Sequence, residues 1–172
     1  MIIRLGVNID HIATLREVRK ASYPDILEAA QICKKASADQ ITVHLREDRR
    51  HIQDRDVILL TKKRILPVNL EMAFIDEMVS FAIKTKPYSV TLVPERRAEM
   101  TTESGLDLNR VEKKLSLLKK LQAKTKIFGF IDASPRQVEL AAALQLDGVE
   151  FHTGPFAHAF QNGRASSGLK TE

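Results

Sequence analysis

The chain has 172 residues, 44% hydrophobic and 28% charged, the balance of one folded domain with a core or of an incomplete larger one. A net charge of +5 favours anionic partners such as phosphorylated metabolites, while 5% aromatics, no Trp and no Lys/Arg block argue against a nucleic-acid platform. One cysteine excludes an internal disulfide, no signal-peptide pattern opens the chain and no apolar run reaches transmembrane length, so a cytoplasmic protein is expected.

Six apolar runs alternate with helical patterns. Ile2 to Ile9 reads as the first strand. Asn8 and Asp10 alternate with Val7 and Ile9, which would put both polar side chains on one strand face. A strand end whose Asp caps the next turn fits equally well. Asp25 to Ala36 predicts a helix with Ile26, Ala29, Ala30 and Cys33 on one side, making Cys33 a core residue. Gln40 to Leu45 is the second strand; His44 and Arg46 lie two apart at its end. A charged stretch with His51 follows, and Asp54 to Asp56 reads as the first turn of another helix. Leu66 to Met72 is the third strand and carries Glu71. Asp76 to Lys84 opens with acids, as a helix N-terminus prefers. Ser89 to Pro94 is the fourth strand, followed by Glu95. Val111, Leu115, Leu118 and Leu121 predict one helix over Asp107 to Ala123. Lys126 to Ile131 is the fifth strand and leads into Asp132. Ser134, Pro135 and Gln137 signal a helix start with a capping box. Gly148 to His152 is the sixth strand, with Glu150 and His152 two apart on one face. Gln161 to Glu172 is the most loop-like stretch.

Alternating strands and helices predict an α/β fold with a parallel sheet. A doubly wound sheet gathers its site where the strand order switches, whereas a (β/α)8 barrel rings it with all strand ends. Polar groups end every run here, which favours the TIM (β/α)8 barrel. A complete barrel takes about 250 residues. Residues 1–160 are therefore expected to form an incomplete barrel domain with strands 1 to 6, about six of eight βα units. Residues 161–172 read as a loop or the start of the next helix, and strands 7 and 8 are absent from this sequence. Such an open sheet is expected to expose a hydrophobic interior and unpaired edges, leaving the chain alone poorly stable or inactive.

The strand ends carry groups suited to proton transfer and phosphate binding. A carboxyl such as Glu71 in an apolar mouth has a raised pKa and makes a usable base; an ion pair with a nearby Arg is the plainer reading. His44 can move protons near neutral pH, and Arg46 offers a fork of donors for phosphate; a solvated charged loop is the alternative for that segment. No metal is expected, since no His-x-His or clustered-carboxylate spacing occurs, and no Gly-rich nucleotide loop points to a cofactor. His158 receives no role.

GVNIDHIATLREVR, YPDILEAA, ITVHLREDRRHIQDRDV, NLEMA, LVPERR, TTESGLD, FID and VEFHTG closely resemble the pyridoxine 5′-phosphate synthase family of vitamin B6 biosynthesis, nearly continuously to about Ala159. That resemblance implies a cytoplasmic (β/α)8-barrel transferase, octameric and free of cofactors. Its reaction condenses 1-deoxy-D-xylulose 5-phosphate with 3-amino-2-oxopropyl phosphate and releases pyridoxine 5′-phosphate, inorganic phosphate and water. It further implies that His44 and Glu71 are proton acceptors and that Glu150 stabilises charge. Asn8 and Arg19 would hold the amino-ketone phosphate; Asp10, His11, Arg46, His51 and Thr101 would surround the deoxyxylulose phosphate. The family's second catalytic histidine, in an Asn-Ala-Gly-His-Gly segment, and its glycine-rich phosphate contacts have no counterpart in this sequence. Two other readings are a non-catalytic phosphate-binding relic of that enzyme and a metal-dependent barrel lyase or hydrolase.

Overall fold

The structure is a computed structural model that describes residues 3–94 and 104–161. Six parallel strands lie in chain order, β1 (Gly6–Asn8), β2 (Gln40–His44), β3 (Val68–Ala73), β4 (Ser89–Val93), β5 (Lys126–Asp132) and β6 (Gly148–His152). Helices separate them: α1 (Asp10–Arg19) and α2 (Ile26–Lys35), α3 (Asp54–Lys63), α4 (Asp76–Thr85), α5 (Leu108–Glu112) and α6 (Leu115–Gln122), and α7 (Pro135–Ala143). After β6 comes α8 (Gly154–Gln161). Consecutive order with helical crossovers is the partial TIM barrel that the alternation predicts, six βα units of it.

The two faces of the sheet differ in chemistry. Ile41, Val43, Val68, Leu70, Met72, Val90, Leu92, Ile127 and Ile131 point toward the helices and are buried with Ile26, Val57, Leu60, Met78 and Leu118. Each such side chain contributes about 1.5–3 kcal/mol by leaving water. The opposite face curls around a concavity of about 300 Å³ to which every strand contributes, including Gly6, Gln40, Asn69, Thr91, Phe128 and Glu150. Polar groups bond to one another there: Ser89 Oγ donates to Asn69 Oδ1 at 2.9 Å, and Asn69 Nδ2 lies 3.0 Å from Thr91 Oγ1. The expected hydrophobic interior is thus found in part: β2, β3 and β4 turn their apolar alternates against the helices and mostly polar ones inward, whereas β5 turns Phe128 and Phe130 to the concave face and Phe151 of β6 is 46% exposed.

Four boundaries depart from the sequence reading. β1 is only Gly6–Asn8, because Asp10 is already helical. Residues Asp107 to Ala123 form two helices, α5 and α6, which pack on different partners, α7 and α4. The break leaves Leu115 44% exposed instead of in the core. Ser134 stands at the N-cap of α7 with Pro135 behind it, but its side chain makes no cap bond. Gln137 is drawn away from a capping box: its Oε1 accepts from Leu108 N at 3.0 Å and its Nε2 donates to Asp107 Oδ1 at 3.2 Å. Gly154 to Gln161, to which the sequence reading gives no element, is helical, with Pro155 fixing φ in its first turn.

Helix α1 was not anticipated, and it positions the site. It lies over the C-terminal ends of β1 and β2, with Ala13 and Arg16 as its buried residues. Arg16 makes a bidentate pair with Asp56, Nη1 to Oδ1 at 2.8 Å and Nη2 to Oδ2 at 2.6 Å. Asp56 also accepts from Gln53 N at 2.9 Å, closing the capping box of α3. One carboxylate therefore joins α1 to α3. Because both charges are buried, Asp56→Ala leaves the guanidinium only Glu17 as its carboxylate partner and costs about 3 kcal/mol in urea unfolding. A loss below about 1 kcal/mol would show that the pair does not hold α1 in place.

Candidate active site

Register sets the centre of the site. His44 and Glu71 are direct neighbours on β2 and β3, both facing inward near the C-terminal ends of their strands. His44 Nδ1 lies 3.9 Å from Glu71 Oε2, and Leu45 N donates to the Glu71 carbonyl at 3.0 Å. Asp10, at the start of α1, completes the group. Its backbone N–H donates to Asn8 Oδ1 at 2.9 Å and its Oδ2 accepts from Asn8 Nδ2 at 3.0 Å. Its Oδ1 accepts from His44 N at 2.8 Å. Asn8 thus caps α1, and Asp10 ties that helix to the end of β2. The two residues are joined by this turn and not by strand alternation.

Burial pushes the Glu71 carboxyl up to about 7; Glu150 and Asp10 act in the same direction and His44 against it. No Arg pairs with Glu71 among the described residues, so the plain ion-pair reading does not hold. Glu150, in the middle of β6, lines the concavity between the N-terminal halves of the strands and acts on Glu71 from there; limited access to water raises its carboxyl too, although much of its surface stays exposed on the edge strand. Three carboxyl groups and one imidazole thus converge from the start of α1 and from β2, β3 and β6. In a flat sheet β3 and β6 would stand roughly 14 Å apart; the curl brings Glu150 within electrostatic reach of Glu71.

The segment after β2 is no solvated loop. Leu45 and Ile52 are fully buried and Arg46 is 6% exposed. Arg49 takes a left-handed φ of 54° and donates to the carbonyls of Arg46 and Glu47 and to Glu77 Oε1. Arg50 Nη2 sits 2.6 Å from Asp48 Oδ2. These bonds fix Arg46 and His51 at the mouth. His51 Nδ1 lies 3.0 Å from Thr14 Oγ1, which also lies 3.4 Å from His11 Nδ1. Burial lowers the His51 pKa; Arg50, His11 and Arg46 lower it further and Asp10 opposes them.

The fold therefore gathers Asn8, Asp10, His44 and Glu71 into one group, brings Glu150 to it, and sets His11, Arg46 and His51 beside it. Arg19 stands apart, exposed in the last turn of α1, about 14 Å of helix axis from Asp10. Thr101 and Glu95 lie outside the described residues. Two features escaped the sequence reading. Thr14 shares a helix face with Asp10 and His11, a spacing visible only once α1 is known to be helical. Asp132 and His152, noted only as strand ends, are register partners whose Oδ1 and Nδ1 meet at 3.1 Å. Asp132 Oδ1 also accepts from Gly105 N at 2.8 Å, and Gly105 lies so close to β5 that any Cβ would strike the Asp132 backbone. Among the described residues no group of three or more His, Cys, Asp or Glu is placed to hold a metal, and no helix is long and apolar enough to cross a membrane.

Comparison with known proteins places this geometry. The family model for "Pyridoxal phosphate biosynthesis protein PdxJ" matches residues 5–171. The chain belongs to this family. Curated relatives named pyridoxine 5′-phosphate synthase include one from Geobacter sp. (strain M21), 53% identical over 158 residues. Another, from Photobacterium profundum, is 54% identical over 159 residues, and one from Aquifex aeolicus is 47% identical over 163. The aligned residues make up 91%, 91% and 94% of this chain and 66%, 65% and 67% of the respective relatives. The chain thus spans about two thirds of the length of the relatives it matches, and all of the gathered site residues fall within the matched span.

The position of Glu71 has a measurable cost. In the unfolded chain its carboxyl ionises near 4.5, in the fold at about 7. Between those values the folded state holds a proton that the unfolded chain has released, so stability falls as pH rises through this window and the penalty is complete above it. The penalty is on the order of 3 kcal/mol. Glu71→Gln removes it, and the variant should gain roughly 2–3 kcal/mol on the parent between about pH 5 and about pH 8 in urea unfolding. Parallel pH profiles for the two proteins would refute the assignment.

Proposed function

We propose that this chain carries the acid/base centre of a pyridoxine 5′-phosphate synthase, which condenses 1-deoxy-D-xylulose 5-phosphate with 3-amino-2-oxopropyl phosphate to pyridoxine 5′-phosphate, phosphate and water. The observation that supports it best is the His44–Glu71 pair: an imidazole and a buried carboxyl poised at about 7, side by side near the C-terminal ends of β2 and β3. Joining an amine to a ketone, expelling phosphate and aromatising a ring each require protons to be taken up and returned. A carboxyl half-ionised near neutrality serves both directions. Asp10 holds the His44 backbone in place through its hydrogen bond to His44 N.

In this reading His44 and Glu71 accept protons from the bound substrates, and Glu150 stabilises the positive charge that develops on the imine nitrogen. His11, Arg46 and His51, with Asp10 beside them, receive the deoxyxylulose phosphate, and Thr101 belongs to the same subsite. Asn8 and Arg19 receive the amino-ketone phosphate. The buried Arg46 fork and the two imidazoles at the mouth support a site for phosphorylated substrates. A homo-octamer in the cytoplasm belongs to the same reading. The exposed apolar side chains of Leu15, Val18, Tyr23 and Ile32 on and beside α1 and α2 offer surface for such assembly.

In the protein carrying these residues, His44→Asn and Glu71→Gln should each lower kcat by at least about 100-fold with the circular dichroism spectrum unchanged. Near-normal turnover in either variant overturns the assigned role. The parent kcat/KM should also rise with pH to a plateau above about 7, where Glu71 is ionised, and Glu71→Gln should lose this acid limb.

A further inference from the structure

The Thr14 hydroxyl makes three polar contacts at the mouth. It lies 3.2 Å from the Asp10 carbonyl, 3.0 Å from His51 Nδ1 and 3.4 Å from His11 Nδ1. A hydroxyl has one proton to give and two lone pairs to offer. On a helix, a threonine typically gives its proton to the carbonyl four residues back, here that of Asp10. Both lone pairs are then left for donors, and among the described residues the atoms in place to donate are the two Nδ1 nitrogens. Full use of the hydroxyl therefore requires a proton on Nδ1 of both rings. The Nε2 atoms, on the far side of each ring from Thr14, are then bare lone pairs while the rings are neutral. The rings stand edge to face with centroids 6.3 Å apart, close enough to answer one ligand together.

The charged groups that influence His51 come from two elements: Asp10 and His11 at the start of α1, Arg46 and Arg50 from the segment after β2. Neutral imidazoles with bare Nε2 atoms repel an anion, but once protonated they donate to it. We propose that Thr14 is a positioning residue that holds His11 and His51 as a matched pair of Nδ1-protonated imidazoles, whose Nε2 atoms take up protons from water when an anion enters the mouth. Anion binding is then linked to proton uptake, and Thr14 sets which nitrogen receives the proton. This rests on the phosphate-binding reading of the mouth for its ligand, but the ring geometry stands without it.

Nitrogen NMR of the imidazole rings in the full chain decides the point, because it reads Nδ1 and Nε2 separately. At about pH 8 the neutral His51 ring should carry its proton on Nδ1 in the parent and in Thr14→Ser, which keeps the hydroxyl. In Thr14→Val, of nearly the same shape, the Nε2-protonated form should appear. Sulfate is the probe, since its charge is constant across the range. At about pH 7 it should move both Nε2 signals of the parent toward the protonated position, with an apparent affinity at least about fivefold weaker in Thr14→Val. A parent His51 with its proton on Nε2 overturns the proposal, whether or not the valine variant folds. So does an unchanged tautomer in a folded Thr14→Val, or sulfate that leaves both rings unaltered. If these tests are passed while the protein carrying this sequence makes no pyridoxine 5′-phosphate, the synthase reading falls and the pairing stands.

Discussion

The site depends on the register of neighbouring parallel strands. Parallel pairing places each residue of β3 against a fixed residue of β2, and here it sets Glu71 against His44. A slip of one residue would turn Glu71 toward the helices and bring a methionine or leucine into the concavity. The register is held by the other face: Val43, Leu70, Met72 and Leu92 are buried against the helical layer and cannot exchange with polar neighbours without losing that burial. Hydrophobic packing on one side of the sheet therefore fixes the chemistry on the other.

Helix α1 gives the arrangement its second constraint. A helix this poor in buried apolar side chains has little packing of its own to hold it. Polar bonds hold it at both ends instead. Asn8 caps its first turn, Asp10 reaches across to His44 N, and Arg16 is locked to Asp56 at the head of α3. The residues fixing α1 at its start are also residues of the mouth. Stability of the helix and geometry of the site are then one problem, and a change at Asp10 affects both.

Much of the fold was legible because βα periodicity is coarse and repeats. All six strands appear near their expected places, β6 with its expected bounds, and polar strand ends pointed to a barrel mouth. What failed were features that depend on partners distant in sequence. Leu108 to Leu121 keeps one helical spacing throughout, yet α5 and α6 answer to different neighbours. The capping box at Ser134 does not form, since the Gln137 side chain bonds to α5 instead of reaching back to it. The polarity of the concave face could have been read from Gln40, Thr42, Asn69, Ser89 and Thr91, each alternating with buried Val, Ile or Leu. Motifs pointed to the residues that the fold gathers, Asn8, Asp10, His44, Glu71 and Glu150, whereas Arg19 stands apart and Thr14 and the Asp132–His152 pair required coordinates. Neither a helical turn after a three-residue strand nor a register match across β5 and β6 leaves a local signal.

The two titrating clusters depart from ordinary values in opposite senses. Glu71 keeps its proton to about 7, while His51 sheds its proton below the usual imidazole range. One cause drives both, since burial favours the neutral form of either group. Near neutral pH the site thus holds a half-protonated acid and a bare imidazole, so Glu71 and His51 each carry less charge than they would in water. Under the proposed function, a phosphorylated substrate would alter that balance. Its negative charge would raise the proton affinity of nearby groups, so protons would come to the imidazoles and stay on Glu71 until Arg46 and the histidines neutralise the phosphate. Neutralisation would then let Glu71 ionise and act as a base, which would couple substrate capture to the readiness of the base through electrostatics.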